Sequence, residues 1–239
     1  MAKAFFIDTT VCTACRGCQV ACKQWKGLPA EKTVNHGSFQ NPEDLSFTTF
    51  KLVRMNETEI DGKLRWLFFP DQCRHCIEPP CVEAAGDPSA AYRHKATGAV
   101  IYTKVTKELD TDAIIQSCPY NIPRKGPDGS LAKCDMCIDR VTNGLLPACV
   151  KACPTGTMSF GEYKDMRAWA QIRLREVKRK FPQATLINAD TLRVIYLTAF
   201  NPNAYWEYAT AEHRELDITR AVAMRQLLRP FTRFFAHLG

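Results

Sequence analysis

The chain has no apolar run long enough to cross a bilayer. Spanning takes about 18–20 consecutive apolar residues, and the longest aromatic-apolar run in these 239 residues, Trp66-Leu67-Phe68-Phe69, is the length of a strand. Residues 221–239 are interrupted by Arg225, Arg229, Pro230 and Arg233, so they are expected to lie along a partner rather than in lipid. The first eight residues show no apolar core leading to a small-residue cleavage site, and the expectation is a chain without a secretion signal of its own. No Ser-His-Asp arrangement, glycine-rich phosphate loop or P-loop is present, which argues against a substrate-binding catalytic site in this chain. The net charge of +7 is modest. Its one cluster, Arg173, Arg175, Lys178, Arg179 and Lys180, reads as a solvated helix face before a protein-docking surface. Without a recognition motif beside it, nucleic acid is not expected as a partner.

What the chain does have is cysteine. Twelve fall at 12, 15, 18 and 22, then 73, 76 and 81, then 118, then 134, 137, 149 and 153. Three chemistries compete for them. Disulfides are disfavoured, because a chain this long needs no staples and thiols three residues apart are poorly placed to pair with distant partners. Zinc could take Cys134, Cys137, Cys149 and Cys153 as a tetrahedral site, but leaves the other groups unexplained. Iron–sulfur clusters account for all twelve. The run Cys12-x2-Cys15-x2-Cys18-x3-Cys22 has the spacing of bacterial two-cluster ferredoxins, in which three thiolates wrap one cube and the fourth serves the other.

That rule divides the thiols into quartets. Cys12, Cys15 and Cys18 take a remote fourth ligand, Cys153, which precedes Pro154 and ends the closing run. Cys22 joins Cys134, Cys137 and Cys149, with an expanded eleven-residue gap between the last two. Cys73, Cys76 and Cys81 remain, closed by Cys118 ahead of Pro119. Three [4Fe–4S] clusters use every thiol and call for about 12 irons per chain.

The stretches Cys12-Thr-Ala-Cys-Arg-Gly-Cys-Gln-Val-Ala-Cys-Lys-Gln-Trp25, Cys73-Arg-His-Cys-Ile-Glu-Pro-Pro-Cys81, Ser117-Cys-Pro-Tyr-Asn-Ile-Pro-Arg124, Lys133-Cys-Asp-Met-Cys137 and Ala152-Cys-Pro-Thr-Gly156 resemble the iron–sulfur beta subunits of molybdenum- or tungsten-pterin oxidoreductases. Gln19 to Trp25 most resembles formate dehydrogenase beta subunits. The motifs cover roughly residues 1–160. Many members carry a fourth cluster, on cysteines whose matching positions here are Ala85, Glu108, Thr111 and Ile114. One whole site is therefore expected to be missing and its neighbour intact. Membrane-bound relatives also have a C-terminal anchor, and none is expected in this chain. The resemblance thus implies a soluble heterodimer: this chain with a large pterin-containing catalytic subunit, and a soluble c-type cytochrome or ferredoxin as acceptor. It also implies an order of transfer, from the Cys12/15/18/153 cluster through Cys22/134/137/149 to Cys73/76/81/118. The same role in a polysulfide, tetrathionate or sulfoxide reductase is the alternative, followed by a free-standing polyferredoxin and a zinc-binding interaction protein. The expected location is the periplasm, reached by co-export with a signal-bearing catalytic subunit, or else the cytoplasm.

The fold class expected is α+β: two interleaved bacterial-ferredoxin-like modules with a hairpin insertion and a C-terminal helical extension. Module 1 occupies 1–30 and 131–160, the inserted hairpin 31–70, module 2 71–130, and the extension 161–239. Strands are expected over 4–7, 46–55, 64–69, 98–103, 157–160, 184–187 and 193–198, with a turn at Asp61-Gly62 joining the hairpin. Helices are expected over 19–25, 111–116 and 162–180, the last with Met166, Trp169, Ile172 and Val177 on one face, and from about 217 to a kink at Pro230. His75 reads as a hydrogen-bonder in its loop rather than a ligand, and Trp25 as a core or interface residue. Asn56-Glu57-Thr58 fits a glycosylation sequon by chance. Arg16, Lys23, Arg74, Lys133 and Lys151 stand beside ligands and favour the reduced, more negative cluster if they are near in space.

Overall fold

Two strands that are apolar on both faces hold the molecule together. The computed structural model describes residues 2–35 and 37–211. The expected helix from about 217 to Pro230 lies outside them. β1 spans Lys3–Asp8 and leads through a 3-10 turn, Thr9–Val11, to the first cysteine loop. α1 (Gly17–Lys26) leaves that loop and stops where Gly27 takes a left-handed conformation (φ +62°) that only glycine adopts cheaply. The hairpin follows as β2 (Leu52–Ile60) and β3 (Lys63–Asp71). Asp61 and Gly62 both have positive φ, as a two-residue turn matched to strand twist requires.

The strand expected over 46–55 begins only at Leu52. Ser46, Thr48 and Thr49 give their hydroxyls to the Glu31 carboxylate and form a tight bridge, Ser46 to Thr49, instead of a ladder.

The middle of the chain is short elements: α2 (Pro80–Ala85), β4 (Ala91–Arg93), β5 (Val100–Tyr102), α3 (Thr111–Gln116), β6 (Arg124–Lys125), β7 (Leu131–Ala132), α4 (Ile138–Val141) and α5 (Ala148–Lys151). α3 has the expected bounds and is capped by Asp110, whose carboxylate accepts the N–H of Ala113. The 98–103 strand contracts to β5 and pairs with β4, which sequence reading did not predict.

The remainder is β8 (Met158–Glu162), α6 (Tyr163–Lys178), β9 (Thr185–Ile187), β10 (Val194–Thr198) and α7 (Pro202–Tyr205). Four strands form one sheet in the order β8-β1-β10-β9. β8 is its edge, as expected. β10 lies parallel to β1, with Phe5 beside Val194 and Asp8 beside Leu197. Residues 161–211 are therefore not only a helical extension: they supply an interior strand next to the first strand of the chain.

Period-two alternation explains why residues 4–7 and 194–197 are all apolar. Phe5, Ile7, Val194 and Tyr196 face the main core with Val53, Phe69 and Met158. Ala4, Phe6, Ile195 and Leu197 face a second core under α6 with Met166, Ala170 and Val177. Each large side chain so buried contributes about 1.5–3 kcal/mol. The α6 face differs from the expected one. At 100° per residue the buried stripe runs through Met166, Ala170 and Val177. Trp169 falls about 60° off it and Ile172 about 120° off, and both are nearly half exposed. In the basic cluster, Arg175, Lys178, Arg179 and Lys180 are solvated, while Arg173 reaches back to Asp8 at 2.7 Å.

Candidate metal centres

The cysteine loops repeat one turn three times. Ala14, His75 and Met136, each just before the second cysteine of a Cys-x2-Cys pair, all have φ between +46° and +64°. Non-glycine residues rarely hold this conformation. Here it turns the backbone N–H of the middle residue back on the first sulfur. His75 N–H donates to Cys73 Sγ at 3.4 Å and Met136 N–H to Cys134 Sγ at 3.5 Å, and Ala14 N–H does the same for Cys12.

None of the twelve cysteines, all among the described residues, forms a disulfide. Cys12, Cys15, Cys18 and Cys153 line one pocket. Cys73, Cys76, Cys81 and Cys118 line another. Cys149 and Cys137 raise the pKa of Cys22, Cys22 and Cys149 raise that of Cys134, and Cys137 raises that of Cys149, so these four thiols are neighbours. Among the described residues no three His, Cys, Asp or Glu side chains converge on a point that one metal ion would occupy. Four thiols around one shared pocket, twice over, suit a polynuclear cluster.

Two helices distribute the first two sets. α1 carries Cys18 and Cys22 one turn apart, about 6 Å along the axis. α5 and the residue pair after it carry Cys149 and Cys153 with the same spacing, and the two helices pack together. Each thus serves one thiol to the first set and one to the second. α2 supplies Cys81 to the third set, and Cys118 follows the end of α3.

Burial pushes Cys12 up to about 11 and both Cys118 and Cys149 up to about 12. Burial and then neighbouring thiolates push Cys22 and Cys76 higher still. Thiolates so crowded call for a cationic core between them, and metal binding must release their protons. Cys153 moves the other way. Burial raises it, but donors from Met158, Thr155 and Thr157 outweigh burial.

Residues 64–163 match the 4Fe-4S dicluster domain. The chain is 58% identical over 215 residues to the formate dehydrogenase subunit beta of Megalodesulfovibrio gigas, covering 88% of this chain and all of that one. It is 51% identical over 216 residues to the formate dehydrogenase 2 subunit beta (cytochrome c-553) of Nitratidesulfovibrio vulgaris, covering 87% and 99%. The chain belongs to the formate dehydrogenase beta subunits. A more distant member, the nitrate-inducible formate dehydrogenase iron-sulfur subunit of Escherichia coli, is 38% identical over 189 residues, which are 78% of this chain and 64% of that one.

In this formate dehydrogenase beta subunit the cations nearest the sulfurs are only partly those that stand beside them in sequence. Arg74 is fully buried, bonded to Asp71 at 2.7 Å, and its charge lowers Cys76. Lys133 is buried, donates to Val100 O and Cys134 O, and lowers Cys81. Arg16 instead donates to Phe39 O, Lys23 to Pro29 O and Thr48 O, and Lys151 is exposed. Sequence reading missed Lys51. It is buried, fixed to Pro70 O at 2.7 Å and Gln72 Oε1 at 2.6 Å, and its charge lowers Cys12 and Cys18 of one set and Cys22 and Cys149 of the next. Its place in the strand-like run before the hairpin gave no signal of this.

His75 is a hydrogen-bonder, as expected, and fully buried; burial first, then the charges of Lys133 and Arg193, keep its pKa well below the ordinary imidazole value. Trp25 is not core. It is 45% exposed, donating to Asp139 with the Arg140 guanidinium 4.1 Å over its ring. Of the four positions where cysteines were expected in four-cluster relatives, Ile114 is fully buried and Ala85 packs beside it, in one apolar cluster with Val100 and Leu131. Thr111 is buried too, and Glu108 is exposed.

Proposed function

We propose that this chain is the electron-transfer subunit of a formate dehydrogenase that carries three [4Fe–4S] clusters: one on Cys12, Cys15, Cys18 and Cys153, one on Cys22, Cys134, Cys137 and Cys149, and one on Cys73, Cys76, Cys81 and Cys118. The observation that supports the proposal is that eight of the twelve thiols line two pockets in two of these fours, while the other four are electrostatic neighbours of one another. When bound, such clusters supply one-electron transfer at potentials set by hydrogen bonds to sulfur, nearby charge and burial. The chain's own residues provide those terms. Ala14, His75 and Met136 donate backbone N–H groups to sulfur, Lys51 places a buried charge near the first two sets, and Lys133 and Arg74 do so for the third.

The partner proposed is a large molybdenum- or tungsten-pterin subunit that oxidises formate, with a soluble c-type cytochrome or ferredoxin as acceptor. The cytochrome in the name of the Nitratidesulfovibrio relative favours the former. Among the described residues no helix is long and apolar enough to cross a membrane, consistent with a soluble acceptor. The proposed location is the periplasm, by export together with the catalytic subunit.

Anaerobic purification from the native cell tests the whole reading. The expected result is a complex with a pterin subunit, about 12 irons on this chain, and reduction by formate. Zinc in place of iron, or about eight irons, overturns the ligand assignment. A complex inert to formate but active on an oxidised sulfur compound overturns the substrate.

A further inference from the structure

The second and third thiol sets approach each other at one residue. His75 lies in the loop between Cys73 and Cys76, and its ring is fully buried. The backbone N–H of Val100 donates to Nδ1 at 3.0 Å. That nitrogen is therefore the acceptor, so the ring's proton sits on Nε2. Nε2 lies 3.6 Å from Sγ of Cys134, a thiol of the second set. The backbone N–H of the same residue donates to Sγ of Cys73, in the third set, at 3.4 Å. The left-handed conformation of His75 (φ +46°) makes both possible, because it sends the N–H back to its own loop while the ring leaves it.

We propose that His75 is a positioning residue joining two clusters, with its ring Nε2–H donating to the Cys134 sulfur and its backbone N–H to the Cys73 sulfur, so that one residue tunes the second cluster and links it to the third. This rests on the proposed function, since it needs both sets to hold clusters. A donor to sulfur stabilises the reduced, more negative cluster and raises its potential. Val100 fixes the tautomer, as a partner on the far nitrogen does for imidazoles that ligate metals.

The test uses the anaerobically purified complex. Histidine labelled with 15N in the ring only, with pulsed EPR of the reduced protein, should show one histidine ring nitrogen coupled to a cluster. His75→Asn tolerates the left-handed backbone, but its amide nitrogen stands where Nδ1 stood and does not reach Cys134. His75→Gln places its amide nitrogen near the position of Nε2. The expected result is unchanged iron in both variants, loss of the nitrogen coupling in both, a lowered midpoint potential for one cluster in His75→Asn, and recovery of that potential in His75→Gln. Full iron with every potential unmoved in His75→Asn overturns the proposal alone, as does parent protein without histidine coupling. Loss of about four irons in both variants overturns it in favour of a purely structural role. A parent complex without cluster iron overturns the proposed function, and this inference with it.

Discussion

Tyr196 stacks on Phe69 with ring centroids 4.3 Å apart and planes 16° from parallel. One ring comes from β10 and the other from β3, so the contact ties the last strand of the sheet to the inserted hairpin. The Tyr196 hydroxyl donates to Pro70 O at 2.9 Å and accepts from Arg74 at 3.3 Å. Tyr196→Phe keeps the stack and removes one of two donors to Pro70 O, Lys51 remaining, with an expected cost of about 0.5–1.5 kcal/mol. Tyr196→Ala also empties the space, and about 3–5 kcal/mol is expected. The ordering of the three proteins in thermal unfolding midpoint checks both.

Asp71 is fully buried between two buried guanidiniums, Arg74 at 2.7 Å and Arg54 at 3.0 Å. Arg54 also meets Asp44, which Arg124 holds at 2.6 Å. Arg74→Met removes one partner and leaves Asp71 undercompensated. The expected loss is about 3–5 kcal/mol, read as a lower denaturant midpoint, with a second consequence: less positive charge beside Cys76 lowers the potential of the cluster proposed there.

The crossing of ligands between sets can be tested one thiol at a time. Cys22→Ala and Cys18→Ala lie one turn apart on α1. They are expected to damage different clusters, each losing up to about four irons. Cys22→Ala should alter the same EPR signal as Cys149→Ala, and Cys18→Ala the same signal as Cys153→Ala. Identical spectra for the two α1 variants would contradict the assignment.

Gly98 has φ +79°, and a Cβ there would run into the Arg193 side chain. Gly98→Ala is expected to cost about 1–3 kcal/mol by overpacking and, being two residues before the Val100 amide, to disturb the bond to His75. Unfolding midpoint and the His75 nitrogen coupling measure the two effects separately.

Much of this was legible because cysteine spacing is chemistry written directly in sequence. The pocket-lining fours Cys12, Cys15, Cys18, Cys153 and Cys73, Cys76, Cys81, Cys118 were readable from spacing, and α3 is bounded by its Asp110 cap. What was not legible depends on long-range partners. Ser46, Thr48 and Thr49 alternate like a strand, but Glu31 takes their hydroxyls. Trp169 and Ile172 fit a helical stripe within the error of a short window, yet the sheet beneath selects Ala170 instead. Lys51 carries no motif, and only folding brings its ammonium near four thiols distant from it in the chain. His75 was recognisable as a hydrogen-bonder, but the Cys134 sulfur beside its ring lies 59 residues away.

The placement of β10 beside β1 has a consequence for biosynthesis. Every thiol precedes residue 154, so a ribosome has delivered the full ligand complement well before it reaches Val194. Until residues 194–198 emerge, the strand that feeds the first loop lacks its parallel neighbour, and Phe5 and Ile7 lack Val194 and Tyr196 beside them in the core. A nascent or truncated product therefore presents twelve thiols on an unfinished wall, and the apparatus that loads iron must either wait for the tail or shield the thiols until it arrives.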